Sequence, residues 1–322
     1  MPRQASSKVS ILSLSRRHMI AAAASASVGI AMNHRRATAS QTPVSASTGD
    51  DVAGLIDIGG RSLYLDCRGS GSPAVVLEAG FGNDGEIWDS VALPEDQSGP
   101  AVFPAVAMFT RVCAYDRPGT YRDPGFPGRS DPITGTRTAD DIVADLHALL
   151  TAANVPGPYV MMGHSFGGLI VRLYASMYPI DVAGLVLVDA AHEDYYDAVK
   201  SVLTPAQWEA YTNAPEPEGY PGLEKIDIIA SAEQMRNAAV ASPLHPMPLV
   251  VITHGKPWEW PEEYPGDALE AVWLPQQLNL AALVPDGQLI VAEQSEHYIQ
   301  LTQPDLVIDA IHQVVDTVRN LD

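Results

Sequence analysis

Tyr159-Val160-Met161-Met162-Gly163-His164-Ser165-Phe166-Gly167-Gly168 decides how the rest of this chain is read. Its first four residues are apolar without polar alternation, which predicts a strand buried on both faces. Phe166 to Tyr178 then carries a helical rhythm that stops at Pro179. Between them, Gly163-His164-Ser165-Phe166-Gly167 fits G-x-S-x-G, and the strand before it and helix after it give that string its weight. A turn this sharp forces the serine's backbone into a strained region and crowds strand against helix, so glycine is needed at 163 and 167, where a Cβ would collide. The Ser165 hydroxyl is left facing a cleft. Unaided it is too weak an acid to attack at neutral pH, so a histidine base, itself oriented by a carboxylate, has to come from elsewhere in the chain.

Outward from this turn the same grammar repeats. Leu55 to Ile58, Gly59-Gly60 and Arg61 to Cys67 read as two strands joined by a two-residue turn, an antiparallel hairpin. Short apolar runs at 74–78, 111–115, 185–188, 249–252 and 288–291 join Tyr159 to Met162 as buried parallel strands. Helical periods lie at 138–153, 268–283 and 305–318. Eight strands with later βα alternation define an α/β fold with a mostly parallel sheet. The interval from Ala191 to Met247 is longer than one crossover needs and predicts an inserted helical cap. Its Pro215, Pro217 and Pro221 mark breaks, and its Tyr195, Tyr196, Trp208, Tyr211 and Tyr220 are either cap packing or substrate wall.

Composition limits the function classes. The 322 residues carry 19 Lys plus Arg against 39 Asp plus Glu, with 46% hydrophobic residues and two cysteines. Such a chain can bury a large core, which excludes a disordered protein and a disulfide-stapled miniprotein. Six of the basic residues (Arg3, Lys8, Arg16, Arg17, Arg35 and Arg36) precede residue 50 in a stretch without Asp or Glu. The remainder is therefore strongly acidic, which disfavours nucleic acid, anionic lipid surfaces and polyanionic substrates. Ser15-Arg16-Arg17-His18-Met19 opens an Ala-rich apolar run that ends at Met32, and Ala37-Thr38-Ala39 supplies a cleavage pattern. Residues 1–39 read as a twin-arginine-type export signal, with a basic cytoplasmic tail or a retained anchor as the other readings. The run is shorter than the about 20 apolar residues of a transmembrane span and is broken by Ser25, Ser27 and Gly29. Export to the periplasm or beyond is expected, without a stable membrane anchor, with 40–50 as a linker and 51–322 as the folded domain.

Over residues 52–322 the chain resembles the α/β-hydrolase superfamily. The resemblance rests on the opening hairpin, Leu77-Glu78-Ala79-Gly80-Phe81-Gly82, Tyr115-Asp116-Arg117-Pro118-Gly119, the Gly163-to-Gly168 elbow, and Gln294-Ser295-Glu296-His297 before the last helix. It implies an eight-stranded, mostly parallel sheet with a cap (about 191–247) after the sixth strand, Ser165 as nucleophile and His297 as base. Of the other histidines after the signal, His147 and His312 sit in helical stretches and His164 in the elbow, leaving His192, His245 and His254 as lesser candidates for the base. Family members usually carry the acid just after the seventh strand, where this chain has Trp258 followed by Glu259. In a variant the acid ends the sixth strand, the place held here by Asp189. A carboxylate closing a run of buried aliphatics is costly unless partnered, which favours Asp189. Glu259, or one of Glu193, Asp194, Glu262 and Glu263, is the alternative. The oxyanion hole would use the backbone N–H groups of Phe81 and Phe166.

Gly80-Phe81-Gly82-Asn83-Asp84-Gly85 also satisfies G-x-G-x-x-G, but no acidic strand end follows about 20 residues later and Glu86 stands where pyrophosphate would lie. No C-x-x-C or H-E-x-x-H motif points to a metal. No cofactor is expected, and no oligomeric state is legible. A serine at the elbow argues for acyl transfer: a serine esterase acting on a small uncharged ester, with Tyr195, Tyr196, Trp208 and Trp258 as candidate substrate contacts. An acyltransferase, a peptidase or a carbon–carbon bond hydrolase could use the same residues, and a non-catalytic ligand receptor could retain them. In the implied fold the second and fourth strands are antiparallel neighbours, which brings Cys67 and Cys113 within disulfide reach, and export would supply the oxidising compartment. Two buried free thiols are the other reading.

Overall fold

A computed structural model describes residues 51–94 and 97–321, so the proposed signal and the linker lie outside the described residues. Val52–Asp57 (β1) and Ser62–Arg68 (β2) form the expected hairpin, closed at its turn by the Ile58 N–H donating to Arg61 O at 3.0 Å. The remaining strands of the main sheet are Ala74–Glu78 (β3), Val112–Tyr115 (β4), Tyr159–His164 (β5), Val182–Val188 (β6), Leu249–His254 (β7) and Gln288–Ala292 (β8). Their spatial order is β1-β2-β4-β3-β5-β6-β7-β8, antiparallel at β1–β2 and β2–β4 and parallel from there on.

Burial explains why the inner strands lack polar alternation. Along β3, Ala74 and Val76 face one apolar layer while Val75 and Leu77 face another. The first layer is closed by Ala139–Ala152 (α2), Phe166–Met177 (α3) and Ile228–Ala241 (α6); the second by Val102–Val106 (α1) and Pro304–Arg319 (α10). α2 starts at a capping box, in which the Thr138 N–H donates to the Asp141 carboxylate at 2.8 Å. Among the described residues, no helix is long and apolar enough to cross a membrane.

The long interval after β6 holds Tyr195–Val202 (α4), Pro205–Thr212 (α5) and α6. α4 and α5 form an aromatic cap cluster, whereas α6 packs on α2 and α3 and is the crossover helix that returns the chain to the sheet. The interval is thus a cap plus a crossover rather than a cap alone. The helix expected at 268–283 is two, Gly266–Ala271 (α7) and Trp273–Ala281 (α8). Pro275 is the reason: it has no N–H for the Ala271 carbonyl and its ring would press on that group, so the helix must restart. The helix expected around Ile87 is one turn of 3₁₀ helix, Gly85–Asp89, and Ile299–Thr302 (α9) precedes α10.

Cys67 lies directly opposite Cys113 in the β2–β4 register, and the two form a disulfide with Cα atoms 4.0 Å apart.

Candidate active site

The elbow is as strained as its sequence requires. Ser165 has φ +53° and ψ −124°, a region that L-residues rarely enter. Its backbone is tied on both sides: its N–H donates to Val188 O at 3.1 Å, and the Ala191 and Gly168 N–H groups donate to its carbonyl at 2.9 and 3.0 Å. A Cβ on Gly163 would sit 2.4 Å from Gly167 O, and one on Gly167 would sit 2.5 Å from Glu78 O. Both contacts are with backbone and cannot be relieved by a rotamer change, so the close approach of β5, β3 and α3 demands glycine here.

β6 delivers Asp189. It is fully buried and, like Ser165, has a positive φ, +43°. Asp189 Oδ2 accepts from His297 Nδ1 at 2.8 Å. Because a carboxylate only accepts, Nδ1 carries the proton, and a neutral His297 presents Nε2 as its free base. The His297 ring lies 4.5 Å from that of His164, the residue before Ser165, and the His297 carbonyl accepts from His164 Nε2 at 3.0 Å. Burial, reinforced by the neighbouring His297, pushes His164 down to about 3, so it stays neutral.

Asp189 has more partners than one base would give it. Its carboxylate also accepts from Trp273 Nε1 at 2.9 Å, the His254 N–H at 3.1 Å and the Thr253 hydroxyl at 3.3 Å. His254 Nδ1 adds a contact of 2.8 Å to Oδ2. Burial alone would raise this acid, but hydrogen bonds and charge from His254 and His297 outweigh it and hold the carboxyl well below its usual range. Of the other acids proposed for this role, Glu259 is exposed, and Glu193 is engaged by Arg172 at 2.7 Å. His192 Nδ1 accepts from the Asp194 N–H, and His245 lies against the Pro179 carbonyl.

The loop after β3 reaches Ser165 from the other side. A Cβ on Gly80 would come within 3.2 Å of Ser165 Cβ, which places Phe81 next to Ser165. Phe166 opens α3, where the first N–H groups have no carbonyl one turn back to bond. Arg117 holds the β3 loop from beneath. Its guanidinium, buried with its partners, donates to Ala79 O at 2.8 Å, Gly80 O at 2.7 Å, Glu78 Oε1 at 2.5 Å and both oxygens of Glu224 at 2.7 and 3.0 Å. Glu224, from the segment between α5 and α6, also accepts the Gly82 N–H at 2.7 Å. The glycine-rich string at 80–85 is thus committed to this loop, and the Gly85 N–H is taken by the Asp116 carboxylate at 3.0 Å.

A pocket opens beside Ser165, walled by Phe81, Phe166, Tyr195, Tyr196, Ile228 and Trp273. Tyr195 and Tyr196, named above as candidate substrate contacts, line this pocket. Trp208 does not: it stacks on Tyr211, three residues along the same face of α5, with ring centroids 6.0 Å apart. Trp258 meets the His297 ring edge-on at 4.6 Å. Sequence reasoning missed Ile228, Trp273, Glu224, and His254 as partner of the acid. His254 alone had a signal, a histidine ending an apolar strand next to the one that ends in Asp189.

The sequence of residues 73–239, just over half of the chain, matches the family model described as alpha/beta hydrolase fold, and the chain belongs to that family. It is similar to the uncharacterised protein YqjL of Bacillus subtilis, 29% identical over 247 residues, covering 77% of this chain and 85% of that one. A match to the probable transporter efuK of Hormonema carpetanum, 28% identical, covers 58% of this chain and only 25% of the longer protein. The pimeloyl-[acyl-carrier protein] methyl ester esterase of Sodalis glossinidius is 22% identical, with 60% of this chain and 68% of that enzyme covered. Among solved structures, a thermophilic esterase of Thermogutta terrifontis superposes with a TM-score of 0.52 at 20% identity, covering 83% of this chain and 98% of that one. The haloalkane dehalogenase DatA of Agrobacterium tumefaciens does so with 0.56 at 13% identity, covering 83% and 96%. At such identities these structures share the fold, and the family supports a hydrolase without fixing the bond it cleaves.

Proposed function

We propose that this protein is a serine hydrolase that cleaves carboxylic esters of small, uncharged, apolar or aromatic molecules through an acyl-enzyme. The observation that carries the reading is the 2.8 Å bond from His297 Nδ1 to Asp189, made beside a strained elbow that presents Ser165. In this reading Ser165 Oγ attacks the ester carbonyl as its proton passes to His297 Nε2. The oxyanion is held by the Phe81 and Phe166 N–H groups. The ester C–O bond then breaks, and His297 returns the proton to the leaving alcohol. Water attacks the acyl-enzyme, giving its proton to His297, and collapse releases the carboxylic acid and restores the Ser165 hydroxyl.

Asp189 acts by keeping one tautomer and by stabilising the imidazolium, without itself taking the proton. The substrate class follows from the pocket wall, which is aromatic and aliphatic, and from a net charge of −20 that disfavours anions. The esterase names among its relatives agree with this chemistry. The Cys67–Cys113 disulfide and the twin-arginine-type signal together support export. Hydrolysis of p-nitrophenyl esters of graded acyl length tests the proposal. Turnover of uncharged esters, preceded by a burst of nitrophenol, is expected; a purified, folded protein that hydrolyses none of them would contradict it.

A further inference from the structure

His254 ends β7 with both ring nitrogens against carboxylates. Nδ1 is 2.8 Å from Asp189 Oδ2, and Nε2 is 3.1 Å from Glu270 Oε2 on α7. Carboxylate oxygens accept and do not donate, so satisfying both contacts requires a ring that donates twice, an imidazolium. The site is built rather than incidental: the His254 side chain is 7% exposed, Asp189 0% and Glu270 21%. Although burial disfavours its charge, hydrogen bonds to the two carboxylates push His254 up to about 9.

Glu270 does more than face His254. Its Oε1 accepts the Trp258 N–H and Trp260 Nε1, each at 3.0 Å. The loop whose Trp258 ring packs on His297 therefore shares an anchor with His254. The titratable groups gathered here are Asp189 from the end of β6, Glu270 from α7, Tyr195 of α4 packed on Trp273, His297 from the loop after β8 and, next to His297, the neutral His164 of the elbow. The rings of Trp258 and Trp273 cover His254 at 5.6 and 5.9 Å.

We propose that His254 is a positioning residue: bridging Asp189 and Glu270, it fixes the carboxylate toward His297 and offsets part of the charge that imidazole would otherwise feel. This rests on the triad reading above. A buried, lone Asp189 would stabilise a protonated His297 and take the base out of action as the pH falls. A second cation on the same carboxylate weakens that stabilisation, while the hydrogen bond that orients His297 is kept.

The test is the pH dependence of kcat/KM for a p-nitrophenyl ester in wild type and His254→Asn, whose amide can still donate to Asp189 but carries no charge. The acid limb reports the free enzyme's base. It should move up by about two pH units in the variant, the scale expected when a neighbouring unit charge leaves a buried cluster of effective permittivity near 20. The plateau should fall by less than about tenfold. A plateau loss with an unmoved limb would mean a structural role only and overturn the proposal. Imidazole nitrogen NMR of the full Ser165→Ala chain supplies a readout free of turnover: His254 should be doubly protonated at pH 7.5 and titrate near 9, and Glu270→Gln should lower that midpoint by about one unit. A neutral His254 at pH 7.5 would overturn the proposal even if His254→Asn fails to fold. Wild type without any turnover would instead remove the ester reading, and this proposal with it.

Discussion

Replacing Arg117 by Met would strike stability and chemistry together. The methionine fills similar length but leaves the carboxylates of Glu78 and Glu224, 0% and 1% exposed, without their cation. It also strips the carbonyls of Ala79 and Gly80 of a donor. Removing one partner of a buried ion pair costs about 3–5 kcal/mol, because the remaining charge is left desolvated and unpaired. At about 2–4 °C per kcal/mol for a domain of 150–250 residues, that is a fall in Tm of roughly 6–20 °C. Arg122, which pairs with Glu86 while 42% exposed, is the control; its Met variant should stay within about 1 kcal/mol of wild type. Because Arg117 also holds the loop that carries Phe81, kcat measured well below the variant's Tm should fall by about 10²–10³, the usual loss of one oxyanion donor. Calorimetry and ester hydrolysis at one pH give both numbers. A Tm shift no larger than that of Arg122→Met would refute the stability argument, and an unchanged kcat would refute the role given to the loop.

Asp189→Asn should cost about 10⁴ in kcat by disorienting His297, whereas Glu259→Gln, at an exposed position, should be silent; the reverse pattern in steady-state kinetics would move the acid to the loop after β7. Reducing Cys67–Cys113 frees a 46-residue separation and should lower stability by at most roughly 4 kcal/mol, seen as a lower urea midpoint; an unchanged midpoint after complete reduction would contradict it. Folding lifts His254 from 6.5 to about 9, so its contribution is complete below pH 6.5 and is lost as the pH rises through 9. The urea midpoint should therefore drop between pH 7 and pH 10, and less so in His254→Asn; equal drops in the two proteins would contradict the ion pair.

The parts legible in the sequence are those that local sterics or the cost of burial dictate. Gly163 and Gly167 could be read because no other residue fits where β5, β3 and α3 meet, and Asp189 because a charge closing Leu185–Val188 needs partners. The Cys67–Cys113 pair was within reach once β2 and β4 were taken as antiparallel neighbours, and the two residues are directly in register. The parts that stayed hidden are set by distant contacts. Glu224 looks like any acid in a Gly- and Pro-rich loop until the fold carries it 107 positions back to Arg117. Glu270 lies on a short helix whose separate existence depends on Pro275, a break that the 3.6-residue rhythm of 268–283 concealed. Trp208 and Tyr195 both read as aromatic residues of a cap; only packing decides that one stacks within it and the other lines the pocket.

Ester cleavage at this site requires Ser165 to be an activated nucleophile. Treating the purified chain with an alkyl fluorophosphonate at pH 7.5, followed by intact-mass and peptide mapping, tests this most directly. One adduct is expected, on the peptide containing Ser165, absent in Ser165→Ala and slowed by orders of magnitude in His297→Ala. A folded wild-type protein that takes up no adduct, or takes it up equally well without His297, would contradict it.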